Sequence, residues 1–139
     1  MDNYISILSS YVVTGIRPKL YMFENYDESK WIVKTREICD IVDYTDSFII
    51  ENRGLRYNDI SDYIRYKIIY EEGGMYLDTD VVTIRKLDWA AVGVPVVGCS
   101  VDRLANGAVM FFPTAKHPLA KLLLDKCMEI ITSGCDWYY

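Results

Sequence analysis

An α/β fold is expected for this sequence of 139 residues, and three observations predict it. Apolar residues recur at threes and fours over residues 4–14, 58–72 and 117–132, the period of helices with one buried face. Between them stand short apolar runs of strand length, so the two kinds of segment alternate along the chain. Hydrophobic residues make up 51% and charged residues 25% of the chain, the ordinary balance of a soluble globular domain. A chain of this length buries roughly two-thirds of its unfolded surface, so one domain over residues 1–139 with one core is expected.

The elements follow in order. Tyr4, Ile5, Leu8, Tyr11 and Val12 set out the first helix, which Gly15 and Pro18 stop. Leu20, Met22 and Phe23 fit a strand within Lys19–Glu24, and the polar stretch Asn25–Lys30 reads as a loop. Trp31–Asn58 mixes helical and extended signals. Ile60, Tyr63, Ile64, Ile68 and Ile69 then mark a helix over Asn58–Glu72, with Asn58 or Ser61 as its cap and Gly73-Gly74 as its left-handed stop. Met75-Tyr76-Leu77 and Val81–Ile84 are strand candidates on either side of Asp78-Thr79-Asp80, and Val94–Val101 and Ala108–Phe112 are two more. A closing helix over His117–Thr132 directs Leu119, Leu122, Leu123, Cys127, Ile130 and Ile131 inward, with His117 as a capping or surface residue before Pro118.

Charge and composition exclude several classes. A net charge of −5 and scattered lysines and arginines leave no clustered basic face, so nucleic acid is not expected as a partner. Cys39, Cys99, Cys127 and Cys135 have no metal-binding spacing and are too dilute for a disulfide scaffold; they read as reduced thiols, mostly packing. The N-terminus carries Asp2 where a signal peptide needs positive charge, and no apolar run reaches about 18 residues, so a cytoplasmic protein without a membrane-spanning segment is expected.

The chemistry concentrates on Asp78 and Asp80. Two residues apart in an extended segment, their carboxylates would face one side while Thr79 turns away. Hard oxygen donors of this kind select Mg²⁺ or Mn²⁺, which commonly leave several positions to water and substrate phosphates. An isolated D-x-D is more often a solvated turn. Here, though, it follows apolar strand residues, and Asp62 and Arg65 are three apart on the preceding helix, neighbours on one face. Arg65 offers a planar fork of donors to a phosphate or sugar hydroxyl; a surface ion pair is the alternative. Asn106, before Gly107, is a candidate contact to donor or acceptor, and a plain turn accounts for it equally well.

The run Ser61-Asp62-Tyr63-Ile64-Arg65 through Gly73-Gly74-Met75-Tyr76-Leu77-Asp78-Thr79-Asp80-Val81 resembles the signature of glycosyltransferases with a DXD-containing sugar-binding region. These are similar to the mannosyl- and galactosyltransferases of polysaccharide biosynthesis and, more distantly, to glucosylating bacterial toxins. Weaker similarity extends from about Ile5 to Gly134. The resemblance implies a GT-A type fold, with helices around a mixed, mainly parallel sheet. It also implies metal-dependent transfer of a hexose from a nucleotide-sugar donor, UDP-sugar favoured, to a glycan or other acceptor, with retention. By position, Asp80 would ligate the metal, and Asp78 would bond the ribose or donor sugar and approach the metal. Asp62 would bind sugar hydroxyls and Arg65 the sugar or the diphosphate. No side-chain nucleophile is required.

Relative to that family the chain lacks an opening apolar strand before the helix at Tyr4 and stops at Tyr139 where relatives continue, which reads as shortening at both ends. The alternative function is therefore an inactive sugar-nucleotide-binding remnant acting as a binding or interaction module. A phosphatase of the haloacid dehalogenase type, which also uses D-x-D, is set aside because it needs much more chain after the motif.

Overall fold

The computed structural model describes residues 3–23, 30–52, 54–86, 88–100 and 104–134. Helices and strands alternate through it, which is the mixed α/β architecture expected. Contacts divide the chain into two compact units, one of residues 1–51 and 78–87 and the other of residues 52–77 and 88–139.

In the first unit, helix α1 (Asn3–Thr14) is followed by strand β1 (Lys19–Met22), helix α2 (Lys30–Ile38), strand β2 (Asp40–Asp43) and the short helix α3 (Ser47–Glu51). β1 and β2 pair in parallel, with Leu20 opposite Ile41, and α2 is the crossover such a pair requires. Ile7, Leu20, Ile38 and Cys39 form the core, flanked by Tyr4, Leu8, Tyr11 and Trp31. Arg17 fastens the crossover: its Nε donates to Asp40 Oδ1 at 2.7 Å, and its two terminal nitrogens donate to the carbonyls of Glu37 and Cys39 at 2.8 and 3.0 Å. These carbonyls lie at the C-terminal end of α2, where backbone acceptors lack helical partners and a cation is favoured.

The second unit holds α4 (Tyr57–Glu72), β3 (Gly74–Leu77), the single-turn helix α5 (Trp89–Val92), β4 (Val96–Cys99), β5 (Ala105–Phe112) and α6 (Pro118–Ser133). Its sheet is antiparallel in the order β3-β5-β4. Ile69 of α4, Met110 and Phe112 of β5, and Ala120 of α6 are fully or almost fully buried together; each large side chain contributes about 1.5–3 kcal/mol by leaving water. His117 caps α6 through Nδ1, which accepts from the Leu119 amide at 3.1 Å, and Pro118 opens the helix as expected.

Several expectations are corrected. The described strands form a two-stranded parallel sheet and a separate three-stranded antiparallel one, in place of one mainly parallel sheet: β3, β5 and β4 meet without the helical crossovers that parallel neighbours need. Val81–Ile84 is not a strand. An apolar run becomes a strand only where another strand offers its backbone groups, and here the Thr83 amide donates to the Ser9 hydroxyl instead, at 2.9 Å. α4 starts at Tyr57 after Arg56 rather than after Asn58 or Ser61, and without a side-chain cap, because a guanidinium has only donors and the free amides of a first turn need an acceptor; Arg56 instead holds Asp59 in that turn at 3.0 and 3.1 Å. α6 turns Ala120, Leu124, Cys127 and Ile131 inward and leaves Leu119 and Leu122 exposed; α1 likewise buries Ser6, Ile7 and Ser10 rather than Ile5 and Val12. Both apolar stripes are wide enough to allow two phases, and the packed neighbour chooses one. The loop expected over Asn25–Lys30 lies outside the described residues except for Lys30, which begins α2.

The double glycine has two separate jobs. Gly73 ends α4 at φ 67°, ψ −155°, its amide donating to the Ile69 carbonyl at 3.0 Å, a backbone region essentially restricted to glycine. A Cβ there would stand 2.7 Å from the Thr114 carbonyl carbon and 2.8 Å from the Ala115 nitrogen. Gly74 has φ 81° and open space around its missing Cβ. Gly73→Ala should therefore lower the unfolding free energy by more than about 3 kcal/mol, and Gly74→Ala by only about 1–2 kcal/mol, with urea unfolding as the measurement. The cysteines give a second check. Burial, reinforced by the Asp62 carboxylate, pushes the Cys127 thiol up to about 12, burial raises Cys39 as well, and Cys99 is exposed. In mass-mapped alkylation at pH 8, Cys99 should react in the native protein and Cys39 and Cys127 only on unfolding. Because Cys127 is raised in the folded state, its neutral form stabilises the fold below about pH 9 and that contribution is lost toward pH 12; Cys127→Ala should reduce the alkaline loss of stability.

Candidate functional site

The Asp62–Arg65 pair lies midway along α4, in the second unit. They stand three positions apart on the helix, so both project from one face, and Arg65 Nη2 stands 3.2 Å from Asp62 Oδ1. The Arg65 side chain is only 14% exposed and that of Asp62 29%, unlike a solvated surface pair. The guanidinium carbon lies 5.3 Å from the centroid of the Tyr76 ring on β3, within the range where a cation gains from the negative face of an aromatic ring. Gly107 of β5 completes the seat: a Cβ at that position would come within 2.6 Å of Arg65 Nη1 and 3.5 Å of the Tyr66 hydroxyl. Helix and two strands thus surround one arginine fork.

Asn106 is the residue before that glycine. It is exposed, and its Oδ1 accepts from the Ala108 amide at 2.8 Å. The contact belongs to a bulge in the β4–β5 ladder. Val97 stands opposite Met110 while its neighbour Gly98 stands opposite Asn106, so Gly107, Ala108 and Val109 have no opposing residue on β4. The side chain satisfies a backbone donor that the interrupted ladder releases.

Asp78 and Asp80 belong to the first unit and directly follow β3 in the chain. The expected extended geometry is replaced by a turn, closed by the Val81 amide donating to the Asp78 carbonyl at 3.0 Å. Asp78 is half-buried, and Thr79 and Asp80 are exposed. The alternation argument for a shared face therefore does not apply to this pair; Asp is a turn former, and the following apolar run has no strand to join. Among the described residues no group of three or more His, Cys, Asp and Glu side chains gathers around a point that would hold a metal ion. Two carboxylates on one turn nonetheless supply the hard oxygen donors that Mg²⁺ or Mn²⁺ takes when water and phosphate oxygens fill its other positions.

Tyr76 and Gly107 were not among the sequence-predicted site residues. In the sequence Tyr76 reads only as part of an apolar strand, and Gly107 only as the partner of a turn-forming asparagine. The sole signal was position: Tyr76 falls two residues before Asp78, and Gly107 is the small residue at a strand start. No described helix is long and apolar enough to cross a membrane.

The family comparison bears on the same stretch. A family model described as "Glycosyltransferase sugar-binding region containing DXD motif" matches residues 14–94, more than half of the chain and including Asp62, Arg65, Tyr76, Asp78 and Asp80. No curated protein and no solved structure matches. With the S-D-x-x-R helix, the double glycine and the D-x-D turn all inside the matched region, the chain belongs to the family of glycosyltransferase sugar-binding regions containing the DXD motif.

Proposed function

We propose that this protein is a metal-dependent hexosyltransferase that takes its sugar from a nucleoside diphosphate, with UDP the first donor to test and GDP the second. Family membership supports the reaction class. The observation that carries the reading further is the arginine of the signature helix: its side chain is 14% exposed, and its fork is held by Asp62 and backed by Tyr76, groups of the protein itself, which lowers the entropic cost of using it. The proposal assigns Arg65 to the sugar or the diphosphate and Asp62 to sugar hydroxyls.

Asp80, with Asp78 beside it, is the proposed seat of Mn²⁺ or Mg²⁺. Bound there, the cation would supply neutralisation of the charge developing on the departing diphosphate. Asp78 also takes the ribose or donor-sugar contact, and Asn106 a contact to donor or acceptor through the side-chain amide nitrogen that its bulge contact leaves over. The proposal includes a GT-A type fold, transfer with retention and a glycan or similar acceptor, all on the family resemblance. The chain's own residues bind and orient in this scheme; none is asked to act as a nucleophile.

The deciding experiment is a thermal-shift screen of nucleotide sugars with and without Mn²⁺. A ligand at 100 times its dissociation constant stabilises by ~2.7 kcal/mol, which is a shift of several degrees. No shift with nucleotide and metal, alone or together, counts against the donor site altogether. Binding without turnover on any acceptor favours a non-catalytic sugar-nucleotide module. In an active protein Asp80→Asn should lower donor hydrolysis or transfer at least ~100-fold, about 2.7 kcal/mol of transition-state stabilisation, with the unfolding midpoint nearly unchanged. Arg65→Lys should also reduce kcat/KM, because a point charge does not reproduce a two-pronged contact. Unchanged kinetics in both variants would remove these residues from the site.

A further inference from the structure

We propose that Gly107 is a positioning residue: its missing side chain is the space into which Arg65 is aimed, and any larger residue there redirects the guanidinium. The inference deepens the function proposed above and rests on it, since it takes Arg65 as a donor-binding group.

The argument is local to the second unit. Arg65 leaves α4 and is bounded by Asp62 at 3.2 Å, by the Tyr76 ring at 5.3 Å and by the backbone of β5 at Gly107. A Cβ on Gly107 would stand 2.6 Å from Nη1 and 3.3 Å from Cδ of Arg65. Real Cβ atoms do not approach heavy atoms as closely as 2.6 Å, so either Gly107 or Arg65 would have to move. Gly107 is held: it sits in the bulge between Asn106, whose Oδ1 is bonded to the Ala108 amide, and Val109, which pairs with Leu77 of β3. The guanidinium is the far end of a long side chain, so it gives way before the backbone does, losing its place against Asp62 and the Tyr76 ring. Gly107 also lacks the positive φ that marks six other glycines, so alanine fits its backbone. A methyl group at this position is therefore tolerated by the fold and paid for by the arginine's aim.

This separates it from Gly73, where the clash is with backbone at 2.7 Å and the fold itself must yield. It also explains why a glycine follows Asn106. Asparagine closes the bulge, and glycine leaves the opening beneath the arginine.

The test uses the full chain as wild type, Gly107→Ala, Arg65→Ala, and the double variant. In the ligand-free protein the Arg65 Nε–Hε NMR cross-peak, assigned by its loss in Arg65→Ala, should move in Gly107→Ala as the guanidinium leaves the Tyr76 ring. The melting temperature should stay within a few degrees. Titrated with UDP-glucose and Mn²⁺, or GDP-mannose and Mn²⁺ where UDP-glucose does not bind, Gly107→Ala should weaken binding about 10- to 100-fold, the worth of a charged hydrogen bond. In the Arg65→Ala background the same substitution should change binding by less than about twofold, because the group it displaces is gone. An unmoved cross-peak, unchanged affinity of Gly107→Ala beside a weakened Arg65→Ala, or an equal loss in both backgrounds overturns the positioning role alone. So does a melting temperature lowered by more than about 10 °C. Wild-type affinity in Arg65→Ala, or no binding of either nucleotide sugar by the wild type, instead removes the proposed function of Arg65, and the role of Gly107 with it.

Discussion

Keeping an arginine side chain at 14% exposure against a sheet constrains almost everything near it. A cation withdrawn from water needs a counter-charge, a polarisable face and room for its planar head. Asp62 provides the first from one helical turn away, Tyr76 the second from β3, and Gly107 the third from β5. Two of these demands fall on strands, so α4, β3 and β5 must hold a definite register for Arg65 to be seated. The ladder Gly74–Leu77 against Phe112–Val109 and the buried cluster of Ile69, Met110, Phe112 and Ala120 keep that register.

The glycines around this arrangement act by different physics. Gly73 turns the chain from α4 into β3 in a conformation that other residues avoid, and does so against the backbone of Thr114 and Ala115. Across the same turn the Lys116 amide donates to the Tyr70 carbonyl at 2.6 Å, with Lys116 itself at φ 58° and its ammonium 4.5 Å from the Tyr70 ring centroid. Helix end and loop thus satisfy one another. Gly98 lies under the β5 bulge, where a Cβ would meet the carbonyls of Asn106 and Val109 at 3.2 and 3.3 Å. Conformation and space both exclude a side chain at Gly73, and space alone at Gly98 and Gly107.

In the first unit the corresponding constraint is electrostatic. Arg17 joins the start of β1 to the end of α2 and the start of β2 through one carboxylate and backbone carbonyls. An Arg before a strand has no reading of its own in the sequence, because its partners are defined only once α2 ends at Ile38. Trp31–Asn58 carries mixed signals for the same reason: α2, β2 and α3 are short, and a short amphipathic segment takes its state from its neighbours.

Much of the fold is legible in the sequence alone. The helices at residues 4–14, 58–72 and 117–132, the strand ahead of the D-x-D, the Gly73 stop and the His117-Pro118 start all follow from local chemistry, since period, capping and left-handed backbone are properties of consecutive residues. The Asp62–Arg65 pairing belongs here too, because helical spacing alone makes the two neighbours. Tertiary structure decided the rest. It chose which of two apolar phases α1 and α6 bury, denied Val81–Ile84 a strand partner, made the D-x-D a turn, and brought Tyr76 and Gly107 to Arg65. Each of these depends on which surface or backbone from a distant part of the chain arrives to meet the segment, and residues adjacent in sequence carry no record of that.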